Sequence, residues 1–210
     1  LVFGVGGVGS YCVEALARAG IGRFALFDGD VVSKSNINRQ LIALHSTVGK
    51  FKCEVARQRV LDINPDAKVE VFNEFYTLGN ADCIDFSGFD YVADAIDMIS
   101  SKLLIVEKAK KAGVPVICAM GAGNRLDPTG FTVTDIYNTK DCPLARVMRR
   151  ELRKRNITDL KVVFSSESPY KEFNKTADSQ TPVIASVSFV PSAEGLIMAS
   201  EIIKDIITLP

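Results

Sequence analysis

The 210-residue chain is 47% hydrophobic and 8% aromatic, an ordinary globular composition whose length suits one domain, read here as residues 1–210. Its 25 basic and 25 acidic side chains cancel, so no global field draws it to nucleic acid or to a membrane surface, and no stretch approaches the roughly 18–20 uninterrupted apolar residues of a membrane span. Its five cysteines are scattered and none forms a C-x-x-C pair, which argues against a disulfide framework and for a reducing, cytoplasmic setting.

Residues 1–5, LVFGV, read as an apolar strand. A core strand at residue 1 leads us to expect a further N-terminal segment before it. Residues 10–19 read as a helix closed by Gly20, residues 23–28 as a second strand, and residues 31–44 as polar and irregular at first, then helical. Lys52 to Ile63 has helical periodicity, with Val55, Arg59 and Asp62 spaced by three and four, and the run NPD at 64–66 stops it. Strands follow at 68–73 and 89–97, a helix at 101–112 capped by Gly113, and a fifth strand at 114–120. Strands and helices in this alternation predict an α/β fold: a Rossmann-like, mainly parallel twisted sheet with helices on both faces.

The rhythm then breaks into a mixed C-terminal extension. Residues 126–136 read as a turn and a short strand, 143–155 as a charged helix, and 160–169 as a strand entering a mobile polar loop at 165–181. SVSFV at 186–190 reads as a strand, and a Pro–Ser start then opens a final amphipathic helix.

Ligands of such sheets sit beyond the carboxyl ends of the strands, and Gly6, Asp28 and Asp97 all lie at or past such ends. Gly4, Gly6 and Gly9 form G-x-G-x-x-G: Gly4 for the tight turn, Gly6 for close phosphate approach, Gly9 for helix–strand packing. Alone this set suits NAD, FAD and ATP alike. Asp28, about twenty residues on, stands where an acid accepts bonds from ribose hydroxyls. Asp30 is either a second polar contact or a solvated turn residue. Arg39 and Lys52 separate the ligands, because two added cations suit a triphosphate better than a diphosphate. Asn36, Asn38 and Gln40 add neutral hydrogen bonds beside them. Asp97 is a natural magnesium ligand beside a triphosphate, and Asp94 is read as structural. The single histidine, His45, supports no catalytic constellation. An NAD-dependent oxidoreductase needs only the glycines and Asp28; it leaves Arg39, Lys52 and Asp97 unexplained.

In order, the chain carries GVGGVG at 4–9, DGD at 28–30, SNINRQ at 35–40, the helix lysine Lys52, and DAID at 94–97. This series resembles the ThiF/MoeB/HesA adenylyltransferase family. The resemblance implies an ATP- and magnesium-binding homodimer, with ATP contacted by Gly7, Asp28, Ser35 to Arg39, Lys52 and Asp97. In that family an N-terminal arginine commonly reaches the partner subunit's ATP; the segment that would carry it is not in this sequence. Branches that activate the C-terminal Gly-Gly of a ubiquitin-like sulfur-carrier protein often hold zinc on two C-x-x-C pairs, which are absent here. The stretches INPDAKVEVFNEF, GAGNRLDPT, DCPLARVMRRELRK and SFVPSAEGLIMASEIIKD instead resemble the branch that activates the threonylcarbamoyl group on a tRNA adenosine. For tRNA the basic run at 146–155 supplies Arg146, Arg149, Arg150, Arg153 and Lys154 as phosphate contacts, or else forms a solvated helix face. Cys142 is either a nucleophile, as in carrier-type relatives, or a structural thiol, and the structural role is the stronger reading.

Overall fold

A computed structural model describes residues 1–170 and 185–208. Among them, seven strands form one sheet: β1 (Val2–Phe3), β2 (Arg23–Phe27), β3 (Lys68–Phe72), β4 (Val92–Asp94), β5 (Val116–Ala119), β6 (Phe131–Asp135) and β7 (Lys161–Ser165). Their order is β3-β2-β1-β4-β5-β7-β6, and only β6–β7 is antiparallel. The helices are α1 (Gly9–Arg18), α2 (Lys52–Ile63), α3 (Ile99–Ala112), α4 (Pro143–Lys154) and α5 (Phe189–Thr208).

The two-residue period of a strand sorts the core into two layers. Phe3, Phe27, Val116 and Cys118 face α3 and α4, where Leu103, Ile105, Ala145 and Met148 meet them. Val2, Leu26, Ile117 and Ala119 face α1, α2 and α5, against Leu16, Val60 and Met198. Helices therefore cover both faces, as the strand–helix rhythm implies. The strand order reverses between β1 and β4, and a crevice opens there beyond the strand ends.

Local signals placed most boundaries. Helix α2 spans the predicted residues, and Gly113 ends α3 at φ +71°, a left-handed conformation that glycine adopts without a Cβ penalty. Three expectations fail. The helix expected in the later part of 31–44 is a series of turns, because Thr47 Oγ1 takes the Leu44 N–H and donates to the Ile42 carbonyl, competing with helical pairing. The strand expected at 186–190 is instead an irregular run entering α5 at Phe189. The 89–97 strand contracts to Val92–Asp94, so Asp97 lies in the loop before α3. Of the loop read as mobile at 165–181, residues 171–181 lie outside the described residues. Ser166 and Tyr170 are held by the Gly130 and Asn124 carbonyls.

Gly9 is the tightest point of the β1–α1 unit: a Cβ there would lie 1.8 Å from the Gly4 carbonyl oxygen. Gly9→Ala is expected to cost about 3 kcal/mol, since neither backbone can yield without moving α1 off the sheet. Gly22→Ala, where a Cβ meets nothing within 4 Å, should stay within about 0.5 kcal/mol of the parent. Urea midpoints of the two variants check this.

Candidate functional site

The loops after β1, β2, β4 and β5, together with the start of α4, enclose a cleft of about 930 Å³. Gly4, at φ +87°, makes the turn out of β1, and a Cβ on it would press on the Ala95 carbonyl oxygen at 2.7 Å. A Cβ on Gly6 would meet only Gln40 Nε2, at 3.7 Å, so that side of the loop is open. Helix α1 begins beside this loop with no side-chain cap and no acidic residue in its first turn. Its N–H groups and dipole present a positive end suited to an anion. Pro191 of α5 backs the loop, 3.2 Å from where a Gly7 Cβ would stand.

Asp28, at the end of β2, is nearly buried and engaged by backbone donors: Val5 N–H to Oδ2 at 2.8 Å and Asp30 N–H to Oδ1 at 2.9 Å. The carboxylate expected to take ribose hydroxyls thus also fastens the glycine loop to β2. Lys52, the first residue of α2, has only 5% of its side chain exposed; its Nζ lies 2.6 Å from Asp30 Oδ2 and 3.9 Å from Asp28 Oδ1. Asp30 is therefore an ion-pair partner of Lys52, with 52% of its own side chain still exposed.

The SNINRQ run folds as a 3-10 turn, Lys34–Asn36, followed by further turns. Asn36 is buried and accepts the Ser33 N–H, while Ser35 Oγ pairs with Ser33 Oγ at 2.8 Å. Arg39 donates to the Ser35 carbonyl and to Asn38 Oδ1, both at 2.9 Å, which aims a guanidinium along the cleft wall. Asn38 is exposed and donates to the Ser186 carbonyl. Gln40 is buried, and its Oε1 has no hydrogen-bond partner.

Asp97 is exposed on the cleft, and among the described residues nothing hydrogen-bonds to its carboxylate. Asp94 is fully buried, 2.9 Å from the equally buried Lys102 Nζ, which also donates to the Ile96 carbonyl. Burial is the strongest single influence and works against the charge on Lys102, but Asp94, Cys118 and Asp97 together leave its pKa above the ordinary value. This pair, which the sequence reading did not find, clamps β4 to α3 and sets the path of the 95–98 loop.

The far wall holds residues the sequence reading did not single out. Asn124 sits at φ 57°, with its backbone and side chain bonded to Ala185 and its carbonyl to the Tyr170 N–H. Arg125, 2% exposed, donates from Nε to the Glu167 carbonyl. Glu194 of α5 is wholly buried beneath, and burial pushes its carboxyl well above the usual carboxylate range. The cues in the sequence were that GAGNR follows a strand end and that GAGNRLDPT is among the stretches carrying the family resemblance.

The thiols are unpaired cysteines: Cys12, Cys53, Cys118 and Cys142 are buried and Cys83 is exposed. Burial pushes the Cys12 thiol up to about 12 and raises Cys53 and Cys118, which removes them as nucleophiles. Cys142 caps α4, its Sγ accepting the Ala145 N–H at 3.5 Å. His45 is exposed and outside the cleft.

The basic helix α4 buries Ala145, Met148 and Leu152, leaving its cations outside. Arg149 does not serve as a free surface cation: it is bound to the Thr139 carbonyl and hydroxyl. Arg153 lies over the Tyr137 ring at 5.1 Å, and Lys154, Arg155 and Arg150 pair with Glu151, whose carboxyl those partners, Lys154 first, hold at about 2. Arg146 is exposed.

Comparison with known proteins adds to this geometry. The pattern of the ThiF family matches residues 1–209. The chain is 42% identical to the tRNA threonylcarbamoyladenosine dehydratase of Bacillus subtilis, over 98% of this chain and 85% of that one. It is 43% identical to the Haemophilus influenzae protein of the same name, over 73% of this chain and 59% of the relative. Crystal structures of the E. coli enzyme TcdA, one with AMP and one with ATP, superpose with a TM-score of 0.87 at 34% identity, covering 98% of this chain and 84% of theirs.

Proposed function

Because this chain belongs to the ThiF family, we propose that it is an ATP-dependent tRNA threonylcarbamoyladenosine dehydratase built as a single domain over residues 1–210. The observation that carries this reading is one cleft uniting an uncapped helix N-terminus, Lys52, Arg39 and Asp97, in a chain similar throughout to an enzyme crystallised with ATP and with AMP. The glycine loop, Ser35, Asn36, Asn38 and Gln40 frame the nucleotide, while Arg39 and Lys52 face its phosphates. A carboxylate oxygen of the threonylcarbamoyl group attacks the α-phosphorus and pyrophosphate leaves. A nucleophile of the same group then closes a ring on the activated carbonyl and AMP leaves, carrying the oxygen lost as water. The substrate supplies both nucleophiles, which suits a cleft whose neighbouring thiols are buried and which contains no histidine. Cations already in position stabilise the charge that develops on the phosphates.

Asp97 fits a magnesium ion that rides on the triphosphate: one carboxylate suffices when phosphate oxygens and waters complete the shell, and no cluster of three or more His, Cys, Asp or Glu occurs among the described residues. Bound there, magnesium supplies charge neutralisation of the phosphates.

We further read the active form as a homodimer; exposed Phe189, Leu196 and Ile207 on α5 support a buried partner surface. A cytoplasmic setting accords with its free cysteines and with the described helices, none of which is long and apolar enough to cross a membrane. For tRNA, Arg146→Glu with Arg150→Glu should weaken binding roughly tenfold or more and flatten its salt dependence, sparing ATP affinity. Filter binding at several salt concentrations measures this.

The direct assay is mass spectrometry of tRNA nucleosides after incubation with ATP. A product lighter by one water is expected. Adenylation of a carrier protein's Gly-Gly terminus with unchanged tRNA would move the chain to the carrier-activating branch.

A further inference from the structure

Arg125 lines the same cleft as the glycine loop and Lys52 but from its opposite end, and it is placed as though for a ligand. It lines the cleft after β5, and β5 is three strands from β2, on the order of 14 Å across the sheet. A group at that end does not share a phosphate with Lys52. The side chain is 2% exposed, and its Nη2 is buried without a hydrogen-bond partner. Leaving a buried charged donor unmade is costly, so such a group marks a place where another acceptor belongs.

Among the described residues no carboxylate lies within ion-pair distance of Arg125. Glu167 offers it only a backbone carbonyl, at 3.0 Å, because the Glu167 carboxylate is taken by the Leu126 and Asp127 N–H groups. Glu194 feels its field, yet neither Glu194 oxygen is hydrogen-bonded to the guanidinium.

The surroundings hold the group in position. Nε is tied to Glu167, Asn124 is clasped on both sides by Ala185 and Tyr170, and Nη1 lies 3.8 Å from where a Gly121 Cβ would stand. The N-terminus of α4, with Cys142 and Pro143 on the same cleft, adds a second positive element: its first turn has no acidic residue.

We propose that Arg125, backed by the N-terminus of α4, is the subsite that takes the carboxylate of the acceptor substrate and orients one of its oxygens toward the α-phosphate. Planar bidentate recognition is what a guanidinium offers a carboxylate. The inference rests on the reading that the acceptor is a free carboxylate, and it assigns Arg125 to positioning and specificity.

The test compares the parent protein with Arg125→Gln and Arg125→Lys. The probes are threonylcarbamoyladenosine nucleoside and its carboxylate methyl ester, titrated by calorimetry with ATP as a separate ligand. The parent should prefer the acid over the ester. Arg125→Gln should erase that preference and raise KM for modified tRNA by about 10- to 100-fold. ATP affinity should change less than twofold, which also reports an intact fold, and Arg125→Lys should recover part of the preference. If Arg125→Gln keeps the acid preference and the KM, the proposal is overturned. If the parent ignores modified tRNA but adenylates a carrier peptide ending in Gly-Gly, the dehydratase reading fails. The acid-against-amide comparison on that peptide then decides Arg125 in the same way.

Discussion

Asp97→Ala is expected to lower ATP turnover with modified tRNA by roughly a hundred- to a thousandfold while leaving the thermal midpoint within a degree or two, about the shift of a neutral surface change. The two halves of the expectation have separate causes. Asp97 lies outside the strand, exposed, with no hydrogen bond to its carboxylate among the described residues, so the fold loses little when it goes. A carboxylate facing a triphosphate repels it unless a cation lies between them, so its place in the cleft makes sense as a cation ligand. Asp97→Asn, which keeps the shape and removes the charge, should lose nearly as much. Asp94→Ala should behave oppositely, unfolding the protein by about 3–5 kcal/mol, because it strands the buried Lys102 ammonium. Steady-state kinetics beside thermal melts separate these outcomes. An Asp97→Ala protein with parental turnover would remove Asp97 from the chemistry.

Lys52→Ala is expected to weaken ATP binding by two orders of magnitude. Loss of a charge-assisted phosphate contact accounts for about 1.5–3 kcal/mol. The remainder comes from what Lys52 neutralises: without it, Asp30 and Asp28 present two carboxylates to a cleft that must admit a polyanion. Asp28 keeps its Val5 and Asp30 N–H donors, so the glycine loop stays attached to β2. Adding Asp30→Asn to Lys52→Ala should therefore restore about tenfold of the lost affinity, a coupling that a double-mutant cycle reads directly. Lys68, at the start of β3 and exposed, is the control whose removal should leave ATP binding unchanged. Calorimetric titration with ATP measures the parent, Lys52→Ala, Asp30→Asn, the double variant and Lys68→Ala. Equal effects of Lys52→Ala and Lys68→Ala would end the assignment.

How much of this was readable beforehand follows from the range of each interaction. Helix α2 and the ends of α1 and α3 were legible because their signals are local: periodicity within the helix, glycine or proline at its stop. The roles of Gly4 and Gly9 were legible because a turn at φ +87° and a 1.8 Å approach leave no room for a Cβ at all. The helical end of 31–44 and the strand at 186–190 are the misread segments: side-chain bonds from Thr47 outweigh helical propensity in the first, and α5 begins at Phe189 in the second.

The sequence by itself determined the alternation of strands and helices, the phosphate loop, and the set of cations and acids that accompany it, since each is written in residue type and spacing. Only the tertiary structure decided which acid is free and which is spent. Asp97 is open while Asp94 is locked to Lys102, and Asp30 is paired with Lys52. It also brought Arg125, on the cleft wall, within electrostatic reach of the buried Glu194, distant in the chain. The reason is physical: the cost of burying a charge depends on which partners the folded chain brings within reach, and no local pattern records that.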